Sequence, residues 1–351
     1  MPRPPPATAR LAGTASVPVH AQARSAGLAH PGAIHPPRPL DPAKFRDPRI
    51  TAKGEPRASV APAGLRTLWF NTGTLCNITC RGCYIESSPR NDALSYLTLA
   101  EVEAFLDQAA ALPGAPLREV GFTGGEPFLN RDLPAMLRAV LSRPGSLRAL
   151  VLTNAMRPMR RRERELLALR DAFGTERLIL RVSLDHYDAA PHDLERGEGS
   201  FAKALDGLVW LARHGFTVHV AGRAAFGRES EAEMRAGFAR LFAAQGIPID
   251  AADPVALMLF PEMDATQDVP EITTACWGIL GKRPEDMMCA TSRMVVKRKG
   301  AAQPSVVACT LLPYDPQFDL GATLAEADRP VALNHPHCAK FCVLGGAACS
   351  R

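Results

Sequence analysis

The chain has 351 residues, 46% hydrophobic and 22% charged, which is enough apolar sequence for one large α/β domain and a smaller appendage. Its formal net charge is +5, but residues 1–40 hold four arginines and no acidic residue, so the remainder is close to neutral. This distribution argues against a nucleic-acid-binding surface. No run approaches the roughly eighteen uncharged apolar residues of a membrane helix.

Residues 1–63 are rich in Pro, Ala and Arg and lack periodic hydrophobicity, which predicts a disordered arm. From Leu65 onward, apolar strand patterns alternate with helical patterns. The predicted strands are residues 66–71, 119–123, 149–154, 178–185, 217–222 and 255–260. Two predicted helices begin at the capping boxes Thr98/Glu101 and Ser230/Glu233. Three more are predicted over residues 133–142, 160–172 and 201–214.

Six β–α alternations predict a parallel sheet with right-handed crossovers. Six units are too few for a closed eight-stranded barrel, so the predicted fold is α/β, a partial (β/α)6 TIM-like barrel over residues 64–263. Ligand sites in such sheets lie at the carboxyl ends of the strands. Residues 264–351 contain six of the nine cysteines and few helical patterns, which predicts a small cysteine-rich C-terminal domain held together by metal.

Nine cysteines are an unusual number for this length. The count is odd and no secretory hydrophobic segment is present, so a disulfide framework is not indicated. Clustered thiols in a reducing compartment more often bind metal, and we expect a cytoplasmic protein. Cys276 stands apart from the clusters and suits an ordinary core position equally well.

The first cysteine cluster follows the first predicted strand directly. Cys76, Cys80 and Cys83 form a C-x3-C-x2-C run in which Gly82 allows a tight turn. A closed zinc site normally has a fourth ligand nearby, whereas the nearest candidate, His186, lies about a hundred residues away. Three ligands suit a [4Fe–4S] cluster with one iron open to another molecule. Taken alone, the run leaves zinc as an alternative.

Together with the aromatic Tyr84, this spacing resembles the signature of the radical S-adenosylmethionine (SAM) superfamily. The second strand ends in Thr-Gly-Gly-Glu-Pro at residues 123–127, which is similar to that superfamily's GGEP element. The resemblance covers roughly residues 65–262. It implies that the three cysteines hold a catalytic [4Fe–4S] cluster, that SAM binds its open iron, and that an external one-electron donor of flavodoxin or ferredoxin type reduces it.

The same resemblance implies cofactor-binding roles at the strand ends. Gly124 and Gly125 lack side chains, so their backbone would approach the SAM ammonium group, and Glu126 would shape that turn. In the absence of the cysteines this turn would be an ordinary strand end. The other implied cofactor-binding residues are Tyr84, Asn154, Ser183, Asp185 and Arg223.

Each of these residues has a plainer alternative. Asn154 suits helix capping equally well, and Arg223, whose guanidinium matches the SAM carboxylate, has a solvated surface position as its alternative. Tyr84 would pack near the adenine or only cover the cluster. Ser183 would reach the SAM ribose or carboxylate. The resemblance implies that Asp185 faces the cavity. Its alternative is to cap the next helix, and this is weakened because the next predicted helix begins some fifteen residues later.

The second cysteine cluster lies in the C-terminal tail. Cys289 and Cys309 lie on the two arms of a predicted β-hairpin. With the cysteine-rich loop that follows, they resemble the SPASM and Twitch extensions of radical SAM enzymes, which bind auxiliary iron–sulfur clusters. Because the full seven-cysteine spacing is absent, the resemblance implies one auxiliary [4Fe–4S] cluster. The preferred ligands are Cys289, Cys309, Cys338 and Cys342, followed by Cys349, with Cys276 as a substitute. Structural zinc is the alternative, since four thiolates suit it equally well.

The function expected from this resemblance is a radical SAM enzyme that cleaves SAM to a 5′-deoxyadenosyl radical and abstracts hydrogen from a substrate. The net reaction would be oxidation, cross-linking or maturation, on either a peptide or a small metabolite. The sequence before Leu65 is too short and aperiodic for a leader-peptide recognition domain, so a peptide would need a separate partner or direct docking. The alternative is a non-catalytic iron–sulfur or zinc protein, an electron carrier or a scaffold, against which the GGEP-like turn and the Ser183/Asp185 pair argue.

Overall fold

The computed structural model describes residues 38–224, 229–261 and 264–346. The strands are β1 (Ser59–Val60), β2 (Thr67–Asn71), β3 (Glu119–Thr123), β4 (Arg148–Thr153), β5 (Leu178–Ser183), β6 (Thr217–Arg223), β7 (Leu257–Phe260), β8 (Ser292–Val296), β9 (Ser305–Val307), β10 (Asp319–Gly321) and β11 (Val331–Ala332). The central sheet has nine strands in the order β10-β9-β8-β2-β3-β4-β5-β6-β7, and β1 pairs with β11 separately.

Helices connect the strands. They are α1 (Leu99–Ala111), α2 (Leu133–Leu141), α3 (Arg157–Arg160), α4 (Glu163–Phe173), α5 (Ala189–Arg196), α6 (Ser200–Arg213), α7 (Glu231–Gln245), α8 (Cys276–Leu280), α9 (Met288–Thr291) and a π-helix (Cys338–Leu344). Both predicted capping boxes are present. In α1, for example, Thr98 Oγ1 accepts from the Glu101 N–H, and the Thr98 N–H donates to the Glu101 carboxylate.

The six strands from β2 to β7 are parallel and run in chain order, which confirms the predicted α/β partial barrel. Their register brings the carboxyl ends to one level, with Asn71 opposite Thr123 and Ser183 opposite Ala221. Strands β2 and β3 are buried at every position, as expected for parallel strands that are covered on both faces. The residues that follow these strands therefore meet at one edge of the sheet.

The sequence prediction missed one helix in this region. Helix α5 begins at Ala189, soon after β5, so the next helix does not start some fifteen residues beyond Asp185 as expected. Asp188 precedes it and Gly197 follows it, which are ordinary helix start and stop residues. Pro191 within the first turn obscures the pattern.

Residues 38–63 are folded, contrary to the predicted disordered arm; the first part of that arm, residues 1–37, lies outside the described residues. The buried Arg57 side chain forms an ion pair with buried Glu271 and donates to three backbone carbonyl groups, including that of Leu333. Strand β1 pairs antiparallel with β11. Long-range polar contacts of this kind leave no periodic signal in the sequence of the segment that makes them.

The C-terminal tail continues the barrel sheet across the boundary predicted at residue 263. Strand β8 pairs parallel with β2, and β9 pairs antiparallel with β8, which is the predicted hairpin. The described residues form one compact unit from Arg38 onward. Across the described part of the chain, no helix is both long and apolar enough to cross a membrane.

Candidate active site

A cavity opens at the carboxyl ends of the parallel strands, and we call it the strand-end cavity. Its lining includes Cys76, Cys80, Cys83, Tyr84, Gly124, Gly125, Asn154, Ser183, Asp185, Arg196 and Arg223. Apart from Glu126, every residue that the sequence predicted for the catalytic cluster and its cofactor is in this set. The sheet topology thus brings together side chains separated by about 150 positions in the chain.

Each cysteine sulfur of the loop after β2 faces a nitrogen donor. The Ser87 N–H donates to Cys83 Sγ at 3.3 Å. The Asn154 Nδ2 lies 4.0 Å from Cys76 Sγ, and the Arg196 Nη1 lies 4.0 Å from Cys80 Sγ. Donors that surround sulfur favour the thiolate, which is the form that ligates metal.

Burial opposes ionisation of the same thiols. It raises the pKa of Cys76 to about 12, and burial also raises the pKa of Cys80. A cationic centre would offset this cost, so the donor set fits an iron–sulfur cluster. Within the described ranges, no three His, Cys, Asp or Glu side chains converge tightly enough to hold a single metal ion.

The glycine turn after β3 packs directly against the cysteine loop. A Cβ on Gly125 would lie 2.2 Å from the Leu75 carbonyl oxygen, and one on Gly124 would lie 2.5 Å from the Gly73 carbonyl oxygen. The Gly125 N–H donates to the same Gly73 carbonyl at 2.8 Å. The glycines therefore permit contact between two loops, in addition to leaving backbone exposed in the cavity as predicted.

Glu126 does not line the cavity. Its buried carboxylate accepts hydrogen bonds from Thr153 Oγ1 at 2.9 Å, the Asn154 N–H at 2.9 Å and the Phe128 N–H at 3.2 Å. Burial raises the pKa of Glu126 to about 7 against the lowering effect of these donors. Glu126 thus ties the glycine turn to the end of β4, which agrees with a role in shaping the turn.

The Asn154 side chain lines the cavity and makes hydrogen bonds in two directions. Its Oδ1 accepts from the Met156 N–H at 3.0 Å in the turn that precedes α3. Its Nδ2 donates to Asn77 Oδ1 at 2.9 Å inside the cysteine loop. The side chain therefore links the end of β4 to the loop that carries Cys76.

Asp185 lies at the cavity wall in a bidentate ion pair that the sequence did not predict. Arg196, at the end of α5, donates to its two carboxylate oxygens at 2.9 and 2.8 Å. Both side chains are largely buried, and the Arg196 charge and hydrogen bonds hold the pKa of Asp185 below its usual value against the opposing effect of burial. The His192 Nδ1 accepts from the Asp185 N–H at 3.1 Å. Arg196 was not predicted as a site residue because α5, which it ends, was not recognised in the sequence.

Arg223 also reaches the cavity in a paired state. Its Nη1 donates to Glu195 Oε2 at 2.7 Å. A Cβ on Gly82 would lie 2.5 Å from the same Nη1, so the guanidinium packs against the cysteine loop where only glycine leaves room. The Arg81 N–H donates to the Glu195 carbonyl at 2.8 Å, which joins this loop to α5. The surface-arginine alternative does not describe this position.

A second cavity, which we call the tail cavity, brings together the four preferred tail cysteines. Its lining includes Cys289, Cys309, Cys338, Cys342 and His337, with apolar side chains from Met288, Ala308, Leu311, Leu312, Phe318, Val331 and Leu333. Cys289 precedes β8 and Cys309 follows β9, and antiparallel pairing places these two strand ends side by side. Cys338 and Cys342 lie on the π-helix.

The tail thiols are fully or partly buried, and Cys338 is close enough to Cys309 and Cys289 for their charges to influence it. Burial raises the pKa of Cys289 to about 11 against the lowering effect of nearby Arg293. Burial raises the pKa of Cys338 well above its usual value, with Cys309 and Cys289 adding to the effect. Four thiols that share a largely apolar cavity fit a metal centre, which would offset the charge of their thiolates.

The two remaining tail cysteines are Cys276, which the structure describes, and Cys349. Cys276 does not line the tail cavity; its Sγ accepts from the Thr273 N–H at 3.3 Å, so it is no substitute ligand in this arrangement. Cys349 lies outside the described residues.

The two cavities share a wall. Leu311 lines both of them. The π-helix directs Cys338 and Cys342 to the tail cavity and Phe341 to the strand-end cavity, where Phe341 stacks on Phe260 with ring centroids 5.5 Å apart. Leu311 and the π-helix therefore lie between the two cavities.

The sequence profile of the Radical SAM superfamily matches residues 70–241, the region that builds the strand-end cavity. Residues 70–241 therefore match the radical SAM domain. A [4Fe–4S] cluster and SAM are the cofactors of this superfamily, and the three thiols of the cysteine loop fit that cluster. The match to this superfamily favours an iron–sulfur cluster over zinc at the cysteine loop.

In the curated relatives, the region that matches this chain is less than half of each protein's own length. The antilisterial bacteriocin subtilosin biosynthesis protein AlbA of Bacillus subtilis is 33% identical over 147 residues, which are 42% of this chain and 30% of AlbA. A GTP 3′,8-cyclase of Tolumonas auensis is 28% identical over 141 residues, which are 40% of this chain and 39% of the cyclase. The chain thus spans about two fifths or less of these proteins.

Among solved structures, SuiB of Streptococcus suis bound to S-adenosylmethionine superimposes with a TM-score of 0.54. The alignment covers 74% of this chain and 64% of SuiB at 12% sequence identity. SuiB has also been solved with its precursor peptide SuiA, with a TM-score of 0.53 against this chain. At this identity the likeness concerns the fold, and it covers a larger share of this chain than the matched radical SAM region does.

Proposed function

We propose that this radical SAM protein is an enzyme that oxidatively modifies a peptide, with a catalytic cluster in the strand-end cavity and one auxiliary [4Fe–4S] cluster in the tail cavity. The observation that carries the proposal is the wall between the two cavities, where Leu311 lines both and the π-helix contributes Phe341 to one and Cys338 and Cys342 to the other. A substrate that fills the strand-end cavity lies across this wall from four thiols able to hold an electron-accepting cluster.

When bound, the catalytic cluster and SAM supply a one-electron cleavage that yields a 5′-deoxyadenosyl radical. Cys76, Cys80 and Cys83 hold the cluster, and the backbone of the Gly124–Gly125 turn receives the SAM ammonium group. The paired Asp185 and Arg196 hold α5 against the cluster loop. The apolar side of the cavity restricts water around the reacting carbon.

Other wall residues take the remaining cofactor contacts in this proposal. Ser183 at the end of β5 binds the SAM ribose or carboxylate, Tyr84 lies beside the adenine, and Arg223 exchanges part of its contact with Glu195 for the SAM carboxylate. An external one-electron donor of flavodoxin or ferredoxin type supplies the electron.

A peptide fits the cavity better than a nucleoside triphosphate does. The two guanidinium groups among the described lining residues, Arg196 and Arg223, are both paired with carboxylates. A triphosphate carries several negative charges and requires uncompensated cations. AlbA, named for bacteriocin biosynthesis, and SuiB, solved with a precursor peptide, add support for a peptide over the substrate of the GTP cyclases.

Anaerobic reconstitution with iron, sulfide, a reductant and SAM tests whether the protein is an enzyme. We expect wild type to form 5′-deoxyadenosine and Cys80→Ala to form none. Cys276→Ala is the matched control, because this cysteine lies outside both cavities, and it should behave as wild type. An iron-loaded wild type that forms no 5′-deoxyadenosine would support the electron carrier or scaffold instead.

The substrate class is tested by adding candidate molecules to the reconstituted protein. Short peptides, particularly any encoded next to the gene, should raise 5′-deoxyadenosine formation and show a mass loss of two hydrogens. GTP is the comparison substrate. Turnover of GTP with no peptide product would overturn the peptide proposal and leave the radical SAM assignment intact.

A further inference from the structure

The tail cavity contains one polar side chain besides its thiols. Among the described residues that line it, His337 is the only one that is neither apolar nor a cysteine. The side chain precedes Cys338 directly and lies at the entry to the π-helix. A histidine in this position is therefore a neighbour of any metal centre that the four thiols hold.

One ring nitrogen of His337 lacks a partner within the described part of the chain. His337 is 7% exposed, and its buried Nδ1 makes no hydrogen bond there. The backbone N–H of His337 donates to His335 Nδ1 at 3.1 Å, and the two rings lie 4.7 Å apart, so the residue is held in place from one side. An unpaired buried polar group costs about 1–3 kcal/mol, which calls for a partner in the loaded protein.

The chemistry of the site indicates what this partner is. Four thiolates complete the ligand set of a [4Fe–4S] cluster, so the imidazole is not required as a ligand. The sulfur atoms of such a cluster and its thiolates accept hydrogen bonds. An imidazole carries at least one N–H in either protonation state.

We propose that the Nδ1–H of His337 donates a hydrogen bond to a sulfur atom of the auxiliary cluster and raises its reduction potential. The inference rests on the auxiliary cluster of the proposed function. A hydrogen bond to sulfur stabilises the reduced, more negative cluster, and such bonds are among the factors that set iron–sulfur potentials. A higher potential makes the cluster a better acceptor for an electron from the neighbouring cavity.

A pair of variants separates the hydrogen bond from the shape of the side chain. His337→Asn keeps an N–H donor near the position of Nδ1, whereas His337→Leu removes it at similar volume. Both are made in a chain that also carries Cys76→Ala, Cys80→Ala and Cys83→Ala, so that only the tail cluster contributes to the signal. The midpoint potential is measured by redox titration with electron paramagnetic resonance.

We expect His337→Leu to lower the ratio of reduced to oxidised cluster at fixed potential about tenfold, which is 59 mV for one electron, and His337→Asn to change it less than threefold. Equal potentials in all three proteins would overturn the inference while the auxiliary cluster stands. If the parent chain binds no iron in its tail, the proposed auxiliary cluster fails first, and the inference fails with it.

A measurement on the protein without a His337 substitution covers the case in which His337→Leu does not retain its cluster. Histidine labelled with nitrogen-15 should give a weak hyperfine coupling to the reduced tail cluster, as expected for a hydrogen-bonded nitrogen. A strong coupling would identify His337 as an iron ligand and overturn the hydrogen bond. The absence of any coupling would place the ring out of reach and overturn it as well.

Discussion

The strand-end cavity and the tail cavity both gather cysteines, but they do so by different means. In the strand-end cavity, three cysteines share an eight-residue loop, and nitrogen donors from β4, α5 and the loop itself face their sulfurs. In the tail cavity, four cysteines come from three separate segments and lie among apolar side chains. The first site depends on a polar network, and the second depends on burial.

This difference predicts which substitutions should disturb each site most. The polar network is anchored by the largely buried pair Asp185–Arg196 and the partly buried pair Arg223–Glu195, so a change of charge should disturb the strand-end cavity first. The tail thiols lie in a cavity whose other described lining residues are apolar side chains and His337, so we expect the loss of a single thiol to disturb the tail site most. The following changes test this contrast, from the largest expected effect to the smallest.

The Cys338→Ala variant removes one buried thiol from the tail cavity. Because three cysteines from distant segments remain, we expect the tail iron to be lost nearly completely, about four iron atoms per chain. Formation of 5′-deoxyadenosine from SAM should continue, since the cysteine loop is untouched, whereas peptide product should disappear. Iron, sulfide and zinc analysis with product assays measures all three. Retention of zinc in place of iron would identify a structural zinc site in the tail.

The Arg196→Gln variant leaves the buried Asp185 carboxylate without its ion-pair partner. Breaking a buried pair in this way costs about 3–5 kcal/mol, measured as the loss in free energy of unfolding in denaturant. The double variant Asp185→Asn/Arg196→Gln should lose less than the single variant, because no uncompensated charge remains.

The matched control for this pair is Arg283→Gln. Arg283 forms an ion pair with Asp286 at 2.9 Å, but both side chains are well exposed. Exposed pairs contribute about 0–1 kcal/mol. Equal losses for Arg196→Gln and Arg283→Gln would contradict the view that a charge network holds the strand-end cavity.

The His192→Asn variant tests the smallest effect, which depends on pH. Burial lowers the pKa of His192 to about 4, so between its ordinary pKa near 6.5 and pH 4 the unfolded chain binds a proton that the folded chain does not. This contribution to stability is complete above pH 6.5 and is lost as the pH falls to 4, by at most about 3 kcal/mol.

Asparagine keeps an acceptor for the Asp185 N–H but does not titrate. We therefore expect the variant to gain stability relative to wild type as the pH is lowered from 6.5 to 4 in denaturant titrations. His219→Asn is the comparison, because burial also lowers the pKa of His219 to about 4 at a position away from the cavity lining. Parallel pH profiles for wild type and His192→Asn would contradict the buried neutral histidine.

Much of the fold follows from local pattern. The six parallel strands occur where apolar runs predict them, and the two capping boxes start α1 and α7. Helix α5 escaped prediction because it is short and has a proline in its first turn. Because α5 was not predicted, Glu195 and Arg196 were not recognised as candidate site residues, although both contact predicted site residues.

The N-terminal segment shows a second limit of sequence pattern. Residues 38–63 lack periodicity, yet Arg57 forms its buried ion pair with Glu271, more than two hundred positions away. A contact of this kind satisfies the backbone of an irregular segment through side chains distant in sequence. Neither partner alone indicates it.

The sequence by itself determined the cysteine loop, the glycine turn and the order of the parallel strands, because each depends on spacing within a few residues or on apolar runs that alternate with helices. Only the tertiary structure decided how the tail cysteines converge, why Gly125 must lack a side chain, and which arginine pairs with Asp185. These features depend on packing between segments far apart in the chain. Such packing is fixed by the sheet register, and no local pattern encodes it.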